Sequence, residues 1–431
     1  MGDDSGAAGA GLPLLLVGTV MVYALICRWL ERVGITAAMV FVAVGVLVGS
    51  AGFGLVAVDP QAHWFLVVAE VTLSLLLFCD AARLSPRKVG GDLGPVLRLL
   101  GIGLPLTIIT GTVLVITVFP ERGWVAAALV AAILAPTDAA LGAAVVSDER
   151  VPVRVRRILG MESGLNDGLA TPVVSVLIAV AASQAGIAGG ESWQVRAVYS
   201  LGVGVAVGAG VGFGGGLVLR WCRRREWTSP LSVQVAVLTL ASVCYVGATS
   251  IEANGFVAAF LGGLAFTTAT GMRAAEEELA FTETLGVLAS QVVWLLFGAA
   301  MVGPALARMT TETVLVALGA LTVVRMVPVA VAMVGSRWSP ATIVFVGWFG
   351  PRGLATVIFA LVALQSLGTT GLADHVLDVA AVTVLVSIVA HGLSAGPLAI
   401  RYGTWAAGLS ANAPEHVQVA PASRRRLGLH R

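Results

Sequence analysis

Charge is scarce in this 431-residue sequence. Aspartate, glutamate, lysine and arginine make up 12% of it, against about 25% in soluble domains. So few charges cannot cover a water-facing surface, which excludes an ordinary soluble globular fold. The formal net charge is only +2, with the basic residues spread along the chain, and that argues against a nucleic-acid partner. Cysteine is sparse too. Cys27, Cys79, Cys222 and Cys244 lie in or beside apolar segments without C-x-x-C spacing, so neither a disulfide framework nor a zinc site is expected. Of the five histidines only His391 lies well inside an apolar segment, and His375 sits at the start of the same one. An imidazole-ligated metal is therefore not expected, and no cofactor is implied. A cleaved signal peptide is not expected either: Asp3 and Asp4, not a basic stretch, precede the first apolar segment, and no small-residue cleavage site follows it. The start also lacks a hydroxyl residue at position six, which myristoylation uses.

What is abundant is apolar. Hydrophobic residues make up 58% of the chain and the mean hydropathy is +0.94, a composition for which the bilayer is the fitting solvent. Apolar stretches of about 20 residues predict an all-α polytopic membrane protein of about thirteen helices. They run approximately 11–30, 34–51, 63–82, 95–118, 123–147, 158–184, 195–220, 231–250, 254–270, 281–302, 312–335, 341–366 and 375–400. The membrane region thus occupies about 1–400, and the polar stretch 401–431 is expected to be a short disordered tail.

Lysine and arginine in the loops give the orientation. Of the 26 basic residues, 21 fall in the tail or in loops after odd-numbered helices. Loops after even-numbered helices hold three, Arg122, Arg196 and Arg308. This asymmetry predicts a multi-pass protein of the cell membrane with its amino terminus outside and its carboxyl terminus in the cytoplasm. The remaining two, Arg325 and Arg352, lie well inside expected spans.

A charge at the centre of a spanning helix costs about 2.5–3.5 kcal/mol on insertion scales, so it persists where it is paired or lines a hydrated cavity. The acidic candidates are Asp138 in the fifth helix and Glu162 and Asp167 in the sixth. At 3.6 residues per turn, Glu162 shares a face with Asn166, and Ser163 with Asp167. One turn presents two carboxylates, a hydroxyl and a carboxamide, an oxygen-rich surface that suits a hard cation such as Na⁺ or K⁺. The fifth helix carries Ala135-Pro136-Thr137-Asp138, and the twelfth carries Gly350-Pro351-Arg352-Gly353. A proline frees a carbonyl one turn earlier. If the seventh helix separates two halves, these breaks occupy corresponding positions, which points to a transporter site near the midplane. A proline beside an acid can also be a structural kink. Glu70, Asp80, Glu252 and Glu283 read as interface or structural acids, and Arg325 and Arg352 as partners for buried carboxylates.

These motifs resemble a known family. Glu162-Ser163-Gly164-Leu165-Asn166-Asp167 is similar to the E-S-x-x-N-D signature of NhaP-like sodium/proton antiporters and their animal NHE relatives. Pro136-Thr137-Asp138 resembles the family's T-D motif, and Gly350-Pro351-Arg352-Gly353 its late G-x-R-G motif. The resemblance implies the NhaA-like fold, with two inverted six-helix repeats and broken fifth and twelfth helices. It implies a homodimer in which core helices, about 95–184 and 312–400, move against dimerisation helices, about 11–82 and 231–302, with a linker helix at about 195–220. It implies Na⁺ binding at Asp138 and Asp167, with Asp167 the carrier of cation and proton, and Thr137, Ser163 and Asn166 lending ligands. Glu162 would pair with Arg325, Arg352 would stabilise the broken twelfth helix, and Asp80 falls where relatives carry an acid near the ion funnel. Asn166 in place of Asp implies electroneutral exchange. Ala139 departs from the family's usual Pro, which bears on ion selectivity.

The expected activity is thus exchange of Na⁺, or Li⁺ or K⁺, for H⁺, with no enzymatic step. A K⁺/H⁺ antiporter is the alternative within the family. The rivals of another class are an intramembrane aspartyl protease built on Asp138 and Asp167, whose Tyr-Asp and Gly-x-Gly-Asp motifs are not found at these aspartates, and an ion channel.

Overall fold

No water reaches the bilayer interior to satisfy a peptide group, so a spanning segment closes its hydrogen bonds internally as a helix. In the computed structural model the chain is all helical, with no strand among the described residues. These are 4–84, 93–138, 140–187, 192–271, 275–368, 370–410 and 412–416. Ala139 and residues 417–431 of the expected tail lie outside them.

The helices are α1 (Asp4–Arg32), α2 (Ala37–Val48), α3 (His63–Ala82) and α4 (Leu93–Val118). Next come α5a (Gly123–Leu134) with a short continuation α5b (Ala143–Val146), α6 (Val153–Gln184) and α7 (Trp193–Arg224). Then follow α8 (Pro230–Thr249), α9 (Gly255–Thr270) and α10, which begins at Ala275–Phe297 and continues through a π-helical turn, Gly298–Val302, to Ala307. The chain closes with α11 (Thr311–Ala332), α12a (Pro340–Trp348), α12b (Leu354–Leu367) and α13 (Gly371–Ala407). Nine helices among the described residues are long and apolar enough to cross a membrane, and α2, α9 and α12b are shorter apolar helices. The protein is a multi-pass membrane protein.

Polar side chains fix the helix starts. Thr36, Ser229, Asn254, Thr310, Ser339 and Thr370 each accept the backbone N–H of the residue three positions on, a cap worth about 1 kcal/mol. Between helices, small residues replace the hydrophobic drive that lipid cannot supply. Gly204, Gly208, Gly212 and Gly216 form one stripe of α7 against α9. A Cβ at Gly208 would lie 2.4 Å from the Ala258 carbonyl oxygen, and one at Gly212 2.2 Å from that of Gly262. The backbones touch, and alanine at either position would push them apart.

Helices apolar on every side belong in the middle of the bundle. Every residue of α5a from Val125 to Leu134 is buried, and α12b is buried almost throughout. Both broken helices therefore lie at the centre, walled by α6, α11 and α13. All four cysteines are free thiols, with Cys79 and Cys244 buried in the packing. Glu283 ion-pairs with Arg83 between α10 and α3, and Glu252 sits in the turn after α8.

The last helix runs past the expected end at 400, so Arg401–Ala407 are helical rather than part of a loose tail. The chain then folds back over the core. Glu415, 2% exposed, accepts the Ser339 N–H at 3.0 Å and the Thr342 hydroxyl at 2.8 Å at the start of α12a. Arg154 of α6 donates to the Pro414 carbonyl. Segment 412–416 thereby joins α6, α12a and α13, and its polarity alone had pointed to disorder. Burial pushes the Glu415 carboxyl up, but the hydrogen bonds from Ser339 and Thr342 outweigh it and hold the group below the ordinary glutamate value. Such a group contributes stability above its unfolded pKa and loses it as pH falls through the folded one. Glu415→Gln is expected to cost about 2 kcal/mol at pH 7, read as a lower melting temperature, with the difference from wild type closing as the pH drops below about 4.5.

Candidate functional site

Pro136 has no amide hydrogen to continue α5a, and the chain leaves the helix at Ala135 and is non-helical through Thr137 and Asp138 before α5b. Gly350-Pro351 does the same between α12a and α12b. The two breaks meet at a crossing, where the Asp138 N–H donates to the Pro351 carbonyl at 2.8 Å.

Each break exposes helix-end groups that need partners in a dry interior. The Asp138 carboxylate serves the amino-terminal ends. Its Oδ1 accepts the N–H of Ala140 at 2.7 Å and of Leu141 at 3.4 Å, while Oδ2 accepts that of Leu354, the first residue of α12b, at 3.0 Å. Gly353 permits this approach, because a Cβ there would fall 2.1 Å from Oδ2. Arg352, fully buried, serves a carboxyl-terminal end. Its guanidinium donates to the carbonyls of Ala135 and Pro136 at the end of α5a and to Ala320 in α11. Its own N–H donates to the Ser387 hydroxyl of α13 at 2.7 Å. The resemblance implies that Arg352 stabilises the broken twelfth helix; its N–H ties that break to α13, and its side chain reaches across to the break in the fifth. The matching end of α12a is met by His391, whose Nε2 donates to the Trp348 carbonyl at 2.9 Å. Neither His391 nor Ser387 was singled out for this from the sequence. Two polar residues four apart on α13 were the available signal.

The polar turn of α6 faces this crossing. Thr137 Oγ1 lies 3.0 Å from Ser163 Oγ and accepts the Asn166 carboxamide N–H at 2.6 Å. Asn166 Oδ1 and Asp167 Oδ1 are shut off from solvent and have no hydrogen-bond partner. The carboxyls of Asp138 and Asp80 interact electrostatically with Asp167. Asp80 packs against Gly164, where a Cβ would stand 3.3 Å from it. A cavity of about 10 Å³ lies against Asp138 and Ser163, lined also by Gly142, Leu159 and Pro351. On the next turn the Phe260 ring of α9 rests on Gly168, where a Cβ would be only 2.3 Å from the ring. A buried carboxylate oxygen without a donor is costly, and a bound proton or cation removes that cost.

Glu162 points the other way. Arg325 of α11 donates to both its oxygens, at 2.6 and 2.7 Å, with the two side chains 5% and 3% exposed. Gly350 makes room, since a Cβ there would meet Arg325 Nε at 2.3 Å. The bidentate geometry holds α6 to α11. The structure thus brings Thr137, Asp138, Glu162, Ser163, Asn166, Asp167, Arg325, Arg352 and, at the edge, Asp80 into one neighbourhood.

Comparison with known proteins gives the chain its relatives. Residues 20–401 match the family model described as "Sodium/hydrogen exchanger, transmembrane". The chain is 27% identical over 393 residues to the K(+)/H(+) antiporter NhaP of Alkalimonas amylolytica, covering 90% of this chain and 66% of that protein. It is 24% identical over 365 residues to the K(+)/H(+) antiporter NhaP2 of Shewanella baltica, covering 84% and 62%. The chain thus spans about two thirds of the length of these relatives or less. Its fold is similar to that of the sodium proton antiporter MjNhaP1 from Methanocaldococcus jannaschii, with a TM-score of 0.75, 21% identity, and coverage of 92% of this chain and 98% of that one.

Removing one partner of a buried pair leaves an uncompensated charge. Glu162→Gln and Arg325→Met are each expected to lower stability by about 3–5 kcal/mol, measured by thermal melting of purified protein. The double variant should recover much of the loss, and additive losses would contradict the pairing.

Proposed function

The chain belongs to the sodium/hydrogen exchanger family, and we propose that it exchanges a monovalent cation for protons by alternating access, with both competing for Asp167. The observation that carries this reading is the unpartnered, solvent-excluded Asp167 Oδ1 beside Thr137, Ser163, Asn166 and Asp138. Ionised and empty, that carboxylate is unfavourable in a low-dielectric interior. A proton neutralises it, and so does a cation held by its oxygens together with the Asn166 carbonyl and the Thr137 and Ser163 hydroxyls. Occupancy by one excludes the other. Coupling then follows if the loaded site reorients and the empty charged one does not.

Asp138 takes part mainly through its charge, because its oxygens already accept backbone N–H groups. Glu162 is occupied by Arg325, and Asn166 carries no charge. One carboxyl is therefore left to change its charge state in the cycle, which supports electroneutral one-for-one exchange. The motifs' resemblance to sodium/proton antiporters favours Na⁺. The relatives named as K(+)/H(+) antiporters favour K⁺ as the alternative.

The moving unit would be the core helices, about 95–184 and 312–400, whose side chains tie the crossing together. The partner set, about 11–82 and 231–302, would form a homodimer. Over Pro13–Arg32 its α1 helix leaves a largely uncovered apolar surface, with Leu14, Leu25 and Trp29 all exposed. The loop arginines support a cytoplasmic carboxyl terminus.

Proteoliposomes carrying a proton-sensitive dye test the exchange. Wild type should move protons on addition of Na⁺, K⁺ or Li⁺, unaffected by a clamped membrane potential, and the cation giving the strongest response names the substrate. Asp167→Asn should fall to the level of empty vesicles. Wild-type exchange in folded Asp167→Asn would sink the assignment.

A further inference from the structure

The end of α7 carries a charged and aromatic cluster that the exchange reading leaves unused. Trp221-Cys222-Arg223-Arg224-Arg225-Glu226-Trp227 follows Arg220, giving four arginines within six residues. The helix ends here in a tight reversal. Glu226 adopts a left-handed conformation, φ 57°, while its N–H donates to the Arg223 carbonyl at 3.0 Å and that of Trp227 to the Cys222 carbonyl at 3.1 Å. This paired-bond termination satisfies the last carbonyls internally and turns the chain back on itself. Trp227 consequently meets Trp221 edge-on, with ring centroids 4.8 Å apart. The Arg225 guanidinium lies over the Trp221 ring, 5.5 Å from its centroid.

The four arginines divide by task. Arg220 donates to the Ala269 carbonyl at the end of α9, and Arg223 pairs with Glu278 of α10. Arg224 and Arg225 project outward, and Trp221 and Trp227 are 48% and 65% exposed. A soluble protein would not leave two tryptophans so open. At the end of a spanning helix they mark the headgroup layer, where an indole lies between acyl chains and water. Two outward guanidiniums at that depth offer forked donors that match a phosphate. Basic residues beside a span are drawn to anionic lipid.

We infer that this turn binds the headgroup of an anionic phospholipid, its phosphate held by Arg224 and Arg225 and its upper acyl chain lying along Trp221 and Trp227. The seat lies on α7, whose glycine stripe contacts the α9 backbone. Bound lipid therefore steadies the helix that links the two halves of the chain.

The test uses the purified full chain in detergent, with melting temperature followed as phosphatidylglycerol, phosphatidylcholine or inorganic phosphate is added. Wild type should be stabilised by phosphatidylglycerol in preference to phosphatidylcholine, and inorganic phosphate should not reproduce the effect. The surface variant Arg224→Gln/Arg225→Gln should weaken apparent phosphatidylglycerol affinity about tenfold or more. Arg28→Gln/Arg32→Gln, which removes equal charge at the end of α1, should leave it within about twofold. Equal loss in both variants would overturn the site in favour of general charge attraction. No preference for phosphatidylglycerol would overturn it outright. Stabilisation by inorganic phosphate alone would overturn the lipid in favour of a free anion.

Discussion

The constraint on which the rest depends is that a broken helix in a dry interior must have its ends satisfied by the protein itself. An unsatisfied peptide group there costs several kcal/mol. Two helices break at the same place, so four ends need partners, and three side chains supply them. Asp138 takes the N–H groups of the turn that leads into α5b and the one that opens α12b, Arg352 the carbonyls that close α5a, and His391 the carbonyl that closes α12a. The signs fit the helix dipoles: an anion at amino-terminal ends and donors at carboxyl-terminal ones. Gly353 and Gly350 follow as space requirements, since a side chain at either would occupy volume taken by Asp138 or Arg325.

Once the crossing is held, the charges around it are assigned. Arg352 is committed to carbonyls, Arg325 and Glu162 to each other, and Asp138 to backbone N–H groups. Asp167 alone in this group presents a buried carboxylate oxygen with nothing attached. The scaffold is rigid in its fixed charges and open at one, as the proposed competition between two small cations requires. The Asn166–Thr137 and Ser163–Thr137 bonds hold polar oxygens beside it without adding charge.

Much of this was legible in the sequence because it is local. Pro136 and Gly350-Pro351 declare breaks by backbone chemistry, and the spacing of Ser163, Asn166 and Asp167 marks a polar turn of α6, although Glu162 turns away from it to Arg325. The apolar runs gave the helices, with ends displaced where a helix outlasts its apolar stretch, as in α13. What escaped was long-range. Arg352 bonds to carbonyls of α5a and α11, and a carbonyl leaves no mark in sequence. His391 and Ser387 bond across to α12, and the Phe260 ring finds Gly168 from another helix. Glu415 lies in a polar segment whose composition says tail, and its burial depends on Ser339 and Thr342 some seventy residues earlier.

The central claim is that cation and proton compete for one carboxyl, Asp167. It is tested most directly by adding cation to purified protein in weakly buffered detergent solution and measuring proton release alongside cation binding. The account predicts release of about one proton per chain on saturation with the transported cation, with both release and cation binding abolished in folded Asp167→Asn. Saturable cation binding without proton release, or undiminished release from Asp167→Asn, would contradict it.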